Sequence, residues 1–142
     1  MISIDVKVTL DEATPKLAAM KKRGDDFRPV FLIAKEELKK ANAKNFTSSG
    51  LPVGGWDPRT RDYTWPLMRR TGKLFQSLIT LQGAPNEINR MNATFGTDVE
   101  YAKFHQNGTR NMPKRQLVFE PAGFAAKMAR IAGEYYVDGV LP

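Results

Sequence analysis

The stretch from residue 45 to residue 70 constrains this chain more than any other. It reads "NFTSSGLPVGGWDPRTRDYTWP" from Asn45 to Pro66, rich in Gly, Pro, Ser and Thr and without a hydrophobic period. So long a connection is uncommon in a compact domain, and where one occurs it is functional or mobile. The whole chain has 142 residues, enough for one ordinary domain with a real core. The expectation is therefore a single domain over residues 1–142 with a long loop at about 46–70. Both tryptophans, Trp56 and Trp65, lie in that loop. Either they pin the loop to the core, or, with Arg59 and Arg61, they form a surface that contacts a protein partner, since large aromatics dominate interface energies.

Composition narrows the classes. Hydrophobic residues make up 42% of the chain, too many for a disordered protein. No apolar run is long enough to cross a bilayer, so no membrane role is expected. The N-terminal "MISIDVKVTL" alternates, with Ile2, Ile4, Val6, Val8 and Leu10 on one face, and reads as a half-buried strand, not a signal peptide. With no cysteines, disulfides and thiolate metal sites are excluded and a reducing cytosol is allowed. The net charge of +7 allows a polyanionic partner but says nothing about fold.

The remaining blocks carry periods. Residues 12–44 read as helix, opened by Thr14-Pro15 and interrupted at Gly24-Asp25-Asp26. In the second part Phe27, Phe31, Ala34, Leu38 and Ala41 make one apolar stripe. The opposite face carries Lys35, Lys39, Lys40 and Lys44 with Glu36, either a solvated helix face or a surface that meets a polyanion. Beyond the loop, Leu78–Gln82 and 87–96 read as strands, the latter with Met91, Ala93 and Phe95 on one face. Thr97 and Glu100 have capping-box spacing, predicting a helix from Asp98 that stops at Asn107-Gly108. Residues 110–121 read as loop and strand. Pro121 opens a last helix that buries Phe124, Met128 and Ile131. The expected class is α+β: an antiparallel sheet of about four strands with helices packed on one face.

Catalytic and cofactor chemistry finds little support. Gly72-Lys73 resembles the end of a phosphate-binding loop, but Leu67 stands where the first glycine belongs and Leu74 where Ser or Thr belongs. His105 is the sole histidine, so a zinc site lacks ligands, and no nucleophile elbow accompanies it. Catalytic, cofactor-binding and metal residues are expected to be none, and the chain is expected not to be an enzyme. An unrecognised hydrolase using His105 is the last-placed alternative. Nucleic acid is a stronger competitor. Arg59, Arg61, Arg69, Arg70 and Lys73 interleave with Tyr63, Trp65 and Phe75, a composition that can hold a single strand by charge and stacking, although no known recognition signature is present.

The order of motifs then becomes recognisable. A basic helix precedes Gly-Gly-Trp-x-Pro, "LMRRTGKLFQSL" follows at 67–78, then "FGTDVEYAKFHQNGT", then "MPKRQLVF". This order resembles the phage virion-morphogenesis and tail-completion family, small neck or tail proteins of tailed bacteriophages, over about residues 14 to 131. The matching positions are Trp56 and Pro58; Thr71, Gly72, Leu74, Ser77 and Leu78; Tyr101, Ala102, His105, Gln106 and Gly108; and Pro113 and Arg115. The sequence departs from the family in the run before Trp56 and in placing Gln116-Leu117-Val118 between Arg115 and Phe119. The resemblance implies a structural virion protein in tail completion or head–tail joining. It implies a homo-oligomer, a ring at the neck, contacting other neck and tail proteins, with a channel for DNA that the face of Lys35, Lys39, Lys40 and Lys44 would line. It implies assembly in the host cytoplasm and residence in the virion tail or neck. The alternative is a small basic module that binds nucleic acid non-specifically. In either case Thr71-Gly72 is expected to turn the chain into the sheet, Leu74 and Leu78 to enter the core, and Ser77 to start a strand.

Overall fold

The computed structural model describes residues 13–142. The expected N-terminal strand over Ile2–Leu10 lies outside these residues. Along the described chain run α1 (Ala13–Gly24), α2 (Arg28–Thr47), a single 3-10 turn (Leu51–Val53), α3 (Lys73–Thr80), β1 (Glu87–Ile88), β2 (Ala93–Thr94), α4 (Ala102–Asn107) and α5 (Phe124–Asp138).

The break between α1 and α2 falls where Gly24-Asp25-Asp26 predicted it. Phe27 is the N-cap residue of α2 and makes no side-chain cap bond; one residue earlier, the Asp26 carboxylate accepts the Arg28 backbone N–H at 3.1 Å and pairs with the Arg28 guanidinium at 2.6 Å. Pro29 sits in the first turn, where a missing N–H costs nothing. α2 packs against both α3 and α5, so its buried residues spread wider than one stripe: Val30, Ala34, Asn42, Asn45 and Phe46. The two asparagines are tolerated there because each donates to a distant backbone carbonyl, Asn42 to Leu78 at 2.8 Å and Asn45 to Gln116 at 3.0 Å. α1 packs on α5, and Arg23 donates to the carbonyls of Tyr136 and Val137 at 2.9 and 2.7 Å, satisfying free acceptors in the last turn of α5.

The expected α+β sheet of about four strands is overturned. Among the described residues there are five α-helices and one antiparallel pair of two-residue strands, Glu87 opposite Thr94 and Ile88 opposite Ala93. The fold is α-rich. Leu78 does not start a strand, and Ser77 lies inside α3. Leu74 and Leu78 are four residues apart, so a helix puts both on one face, and both are buried there. Leu81, left-handed at φ 48°, ends that helix. In the region expected to be the second strand, Asn86 takes over the sheet's role: its amide donates to the Gly96 carbonyl at 3.1 Å and accepts the Gly96 N–H at 2.9 Å. The helix expected from Asp98 begins at Ala102, because Thr97 turns its hydroxyl to Ser77 (2.8 Å) and to the Val99 N–H (3.2 Å). The strand expected within 110–121 does not form; at its start Met112 makes a single bridge with Thr109.

The core centres on the C-terminal end of α2. Phe46, Trp56, Leu74, Leu78, Val99, Ala102 and Leu117 form one buried cluster. Phe46 meets Trp56 edge-on at 5.4 Å and Phe75 at 5.1 Å, arrangements aromatic rings favour. The last helix buries Ile131 as expected, while Phe124 and Met128 are half-buried.

Candidate functional site

Leu81, Leu78 and Leu117 are the deepest apolar side chains near the loop, and the family-motif residues gather around Leu117. Its segment, residues 114–118, crosses the core without a strand partner, so its backbone groups need others. Gln106 supplies two: its side-chain oxygen accepts the N–H of Leu117 at 2.8 Å and of Val118 at 2.9 Å, and its amide donates to the Val118 carbonyl at 2.8 Å. The His105 carbonyl accepts the Arg115 N–H at 2.7 Å. The Gln116 carbonyl accepts from Trp56 Nε1 at 3.0 Å as well as from Asn45. The turn that brings α4 back to this segment passes through Gly108, at φ 72°, where a Cβ would lie 3.0 Å from the Lys114 nitrogen.

Arg115 completes this clip. It is only 7% exposed. Nε donates to the Asp57 carbonyl at 2.9 Å and Nη2 to the Pro58 carbonyl at 3.3 Å. Burial lowers its pKa from the ordinary value, with Asp57 opposing the shift. Trp56 and Arg115 thus hold the first half of the long loop from both ends of Trp56-Asp57-Pro58. Trp56, offered by the sequence both as a core pin and as a partner anchor, is buried. Gly50 makes room for it: at φ 82°, its Cβ would stand 2.3 Å from the indole.

The second half of the loop is held differently. Tyr63 and Trp65 stack at 4.5 Å with 15° between planes. Arg59 lies over Tyr63 at 5.7 Å and Arg70 over Trp65 at 5.2 Å, a cation–π ladder. Arg59 also donates to the Trp65 carbonyl at 2.7 Å, and Arg69 lies over Phe75 at 5.0 Å. Arg61 is exposed. The ladder borders a cavity of about 680 Å³. Its apolar wall is Leu67, Met68 and Leu74; Arg59, Arg70, Lys73 and Arg115 are its cations; Thr71, Gly72, Tyr101 and His105 also line it. No carboxylate lines it. The stretch 67–78 that looked like a phosphate loop is therefore one wall of a basic, apolar cavity and the start of α3. Thr71 does help to open that turn, its hydroxyl accepting the Lys73 N–H at 3.4 Å.

His105 is half-buried, and its Nδ1 has no hydrogen-bond partner among the described residues. Burial, and then the Arg115 charge, push its pKa below the ordinary value, favouring the neutral ring. Tyr101 meets it edge-on at 6.2 Å. Pro113 is half-buried and Ala102 buried. Among the described residues no cluster of His, Asp and Glu could hold a metal. The lysine face of α2 is partly neutralised at home: Lys39 pairs with Glu36 at 2.9 Å, and Glu37, 3.9 Å from Lys40, also pairs with Lys127 at 2.9 Å. Lys35 and Lys44 belong to no ion pair among the described residues.

Sequence reasoning had the motif positions, the burial of Leu74 and Leu78 and the turn at Thr71-Gly72, but missed that Gln106 and Arg115 bind backbone. It also missed Leu67, Met68 and Tyr101 as cavity walls, and Asn45 as a partner of Gln116. The usable signal was the Gly-Gly-Trp-x-Pro and His-Gln-x-Gly motifs taken together, since two glycine-bearing turns with large polar neighbours imply backbone held by side chains. No helix of the described residues is long and apolar enough to cross a membrane. Comparison with curated proteins and with solved structures gave no match. The sequence model of the phage virion morphogenesis family matches residues 8–131, spanning the clip, the ladder and the cavity. By that match, over most of its length, the chain belongs to the phage virion morphogenesis family.

Proposed function

We propose that this protein is a structural virion component that completes the tail or joins head to tail, working as a ring or other homo-oligomer at the neck among neck and tail proteins. Family membership supports a role in building the phage particle. One observation carries the finer reading. The motif residues Trp56, Gln106, Gly108 and Arg115 are occupied inside the chain, binding backbone or turning it, and what they fix, up to Pro58, is the base from which a basic, aromatic surface projects. A protein that spends its most distinctive residues on presenting a loop is built to be met by a partner. In this reading the protein is not an enzyme and needs no cofactor; His105 meets the Tyr101 ring and lies near the Arg115 charge. It acts in the host cytoplasm during assembly and stays in the virion. Lys35, Lys39, Lys40 and Lys44 are the face that would meet DNA in a channel.

The alternative, a non-specific nucleic-acid module, draws on the same basic loop. Single-strand binding needs open ring faces. Here Tyr63 and Trp65 cover each other, and each has a guanidinium over it.

Electron microscopy of lysates from a phage with this gene disrupted tests the proposal. Full heads beside unattached tails, or tails of abnormal length, are the expected result. Normal infectious virions would overturn it. Reversing charge at Lys35, Lys39 and Lys40 is expected to impair DNA passage while leaving particles assembled.

A further inference from the structure

The cavity beside the ladder has the size, charge and lining of a site that an internal clip does not need. At about 680 Å³ it lies in the range of pockets that take several side chains. Its wall of Leu67, Met68 and Leu74 is apolar, which suits an apolar side chain and not a phosphate backbone. Its rim is cationic. Lys73 is exposed, and neither Lys73 nor Arg70 pairs with a carboxylate among the described residues. With no carboxylate in the lining, the fields of these cations add in a partly desolvated space, where they attract anions more strongly than surface charges do. Bases are disfavoured because both ladder rings are already stacked.

We propose that this cavity is a docking site for an acidic peptide segment of another virion protein, with one apolar side chain over Leu67, Met68 and Leu74 and flanking carboxylates against Arg70 and Lys73. Only the source of the segment rests on the assembly reading; the chemistry of the site does not. Arg70 then exchanges part of its contact with Trp65 for a carboxylate, so occupancy changes the environment of Trp65 and leaves buried Trp56 unaffected.

The test uses the full chain and three probes: a random glutamate–tyrosine copolymer, polyglutamate and oligothymidylate. Binding is followed by tryptophan fluorescence in wild type and in Trp65→Phe. The copolymer is expected to bind about tenfold or more tighter than polyglutamate, a difference of about 1.4 kcal/mol, with a fluorescence change lost in Trp65→Phe. Lys73→Glu alone, at an exposed position, and Arg70→Glu/Lys73→Glu together are expected to weaken copolymer binding about tenfold or more, with unchanged circular dichroism. Arg110→Glu, at an exposed position outside the cavity lining, is expected to leave most of it. Equal affinity for copolymer and polyglutamate, or no loss in Lys73→Glu, would overturn the site. Tighter binding of oligothymidylate with the same mutational pattern would make it a nucleic-acid surface instead. Self-association of wild type abolished by Lys73→Glu would make the occupant a second copy. If Arg70→Glu/Lys73→Glu fully rescues the gene-disrupted phage, docking falls while the assembly role stands.

Discussion

Trp56 and Trp65 are nine positions apart in one loop, yet they belong to different kinds of structure. Trp56 joins a network that reaches far along the chain. Its indole donates to Gln116, its ring packs on Phe46, and the residues after it are held by Arg115. Trp65 has mostly near neighbours: Tyr63, Arg59 and Arg70 all come from the same loop. Long-range contacts form only when the whole domain folds, so the first half of the loop shares the global stability. Local contacts open and close by themselves at lower cost. The difference teaches how one loop can be both scaffold and contact surface: the division falls at Pro58, the last residue the clip holds.

The largest expected effect comes from dissolving that difference at Trp56. Trp56→Ala is expected to cost about 3–5 kcal/mol, the usual range for a large aromatic lost from a core, as a drop in urea midpoint. Gly50→Ala should reproduce part of this loss with the tryptophan still present, since a Cβ there meets the indole at 2.3 Å on a backbone at φ 82°. A stable Gly50→Ala protein would show that the loop entrance moves freely and that Trp56 is not clamped.

Arg115→Met comes next. It keeps much of the volume but leaves the carbonyls of Asp57 and Pro58 without their donor. A loss of about 1.5–3 kcal/mol is expected, as for hydrogen bonds made by a charged group, with faster hydrogen exchange at Trp56 and Leu117. Unchanged exchange there would separate Arg115 from the clip and leave Trp56 to hold the loop alone.

Acid should weaken the clip side before the ladder side. The folded pKa of His105 is below its ordinary value, so the unfolded chain takes up the proton first. The contribution of neutral His105 is full above the ordinary histidine pKa and is lost as pH falls through the lower folded value. Denaturation midpoints measured from pH 7 down to 5 are expected to decline, and His105→Asn to flatten that decline. At the other end of the molecule Asp26 has its pKa lowered to about 2 by its hydrogen bonds with Arg28. Its support for the start of α2 is therefore present above the ordinary aspartate pKa and lost as pH falls toward about 2.

The smallest effect on stability is expected at the other tryptophan. Trp65→Ala should cost about 1 kcal/mol or less, as for a side chain outside the core, while particle assembly in a complementation assay falls sharply. A stability loss near that of Trp56→Ala would erase the contrast between the two halves.

Much of the helical scaffold was legible. α2 has a polar face, and Gly24-Asp25-Asp26 is a break by its own chemistry. The sheet was misread for identifiable reasons. Leu78 to Gln82 looked like a strand because the apolar run was read from its second half; Leu74 and Leu78 at a spacing of four are a helical pair. Residues 87–96 alternate as a strand does, but Asn86 bonds to Gly96 and most of that alternation never finds a partner strand. Residues 113–118, expected to hold a strand, form none and bond instead to a glutamine side chain, and no pattern within the segment distinguishes that partner from a strand.

By itself the sequence determined what is local: the break between α1 and α2, the stop at Asn107-Gly108, the basic balance, and the motif order that marks the family. Those properties depend on backbone sterics, nearby hydrogen bonds and charge count. Only the tertiary structure decided which tryptophan is core and which is surface, and that Arg115 points inward. It also decided that Gln106 replaces a strand, and that Leu67 to Leu74 closes a cavity with no acid in it. Each of these depends on a partner dozens of residues away or on the packing of several segments, and a one-dimensional pattern carries the residue types without their meeting.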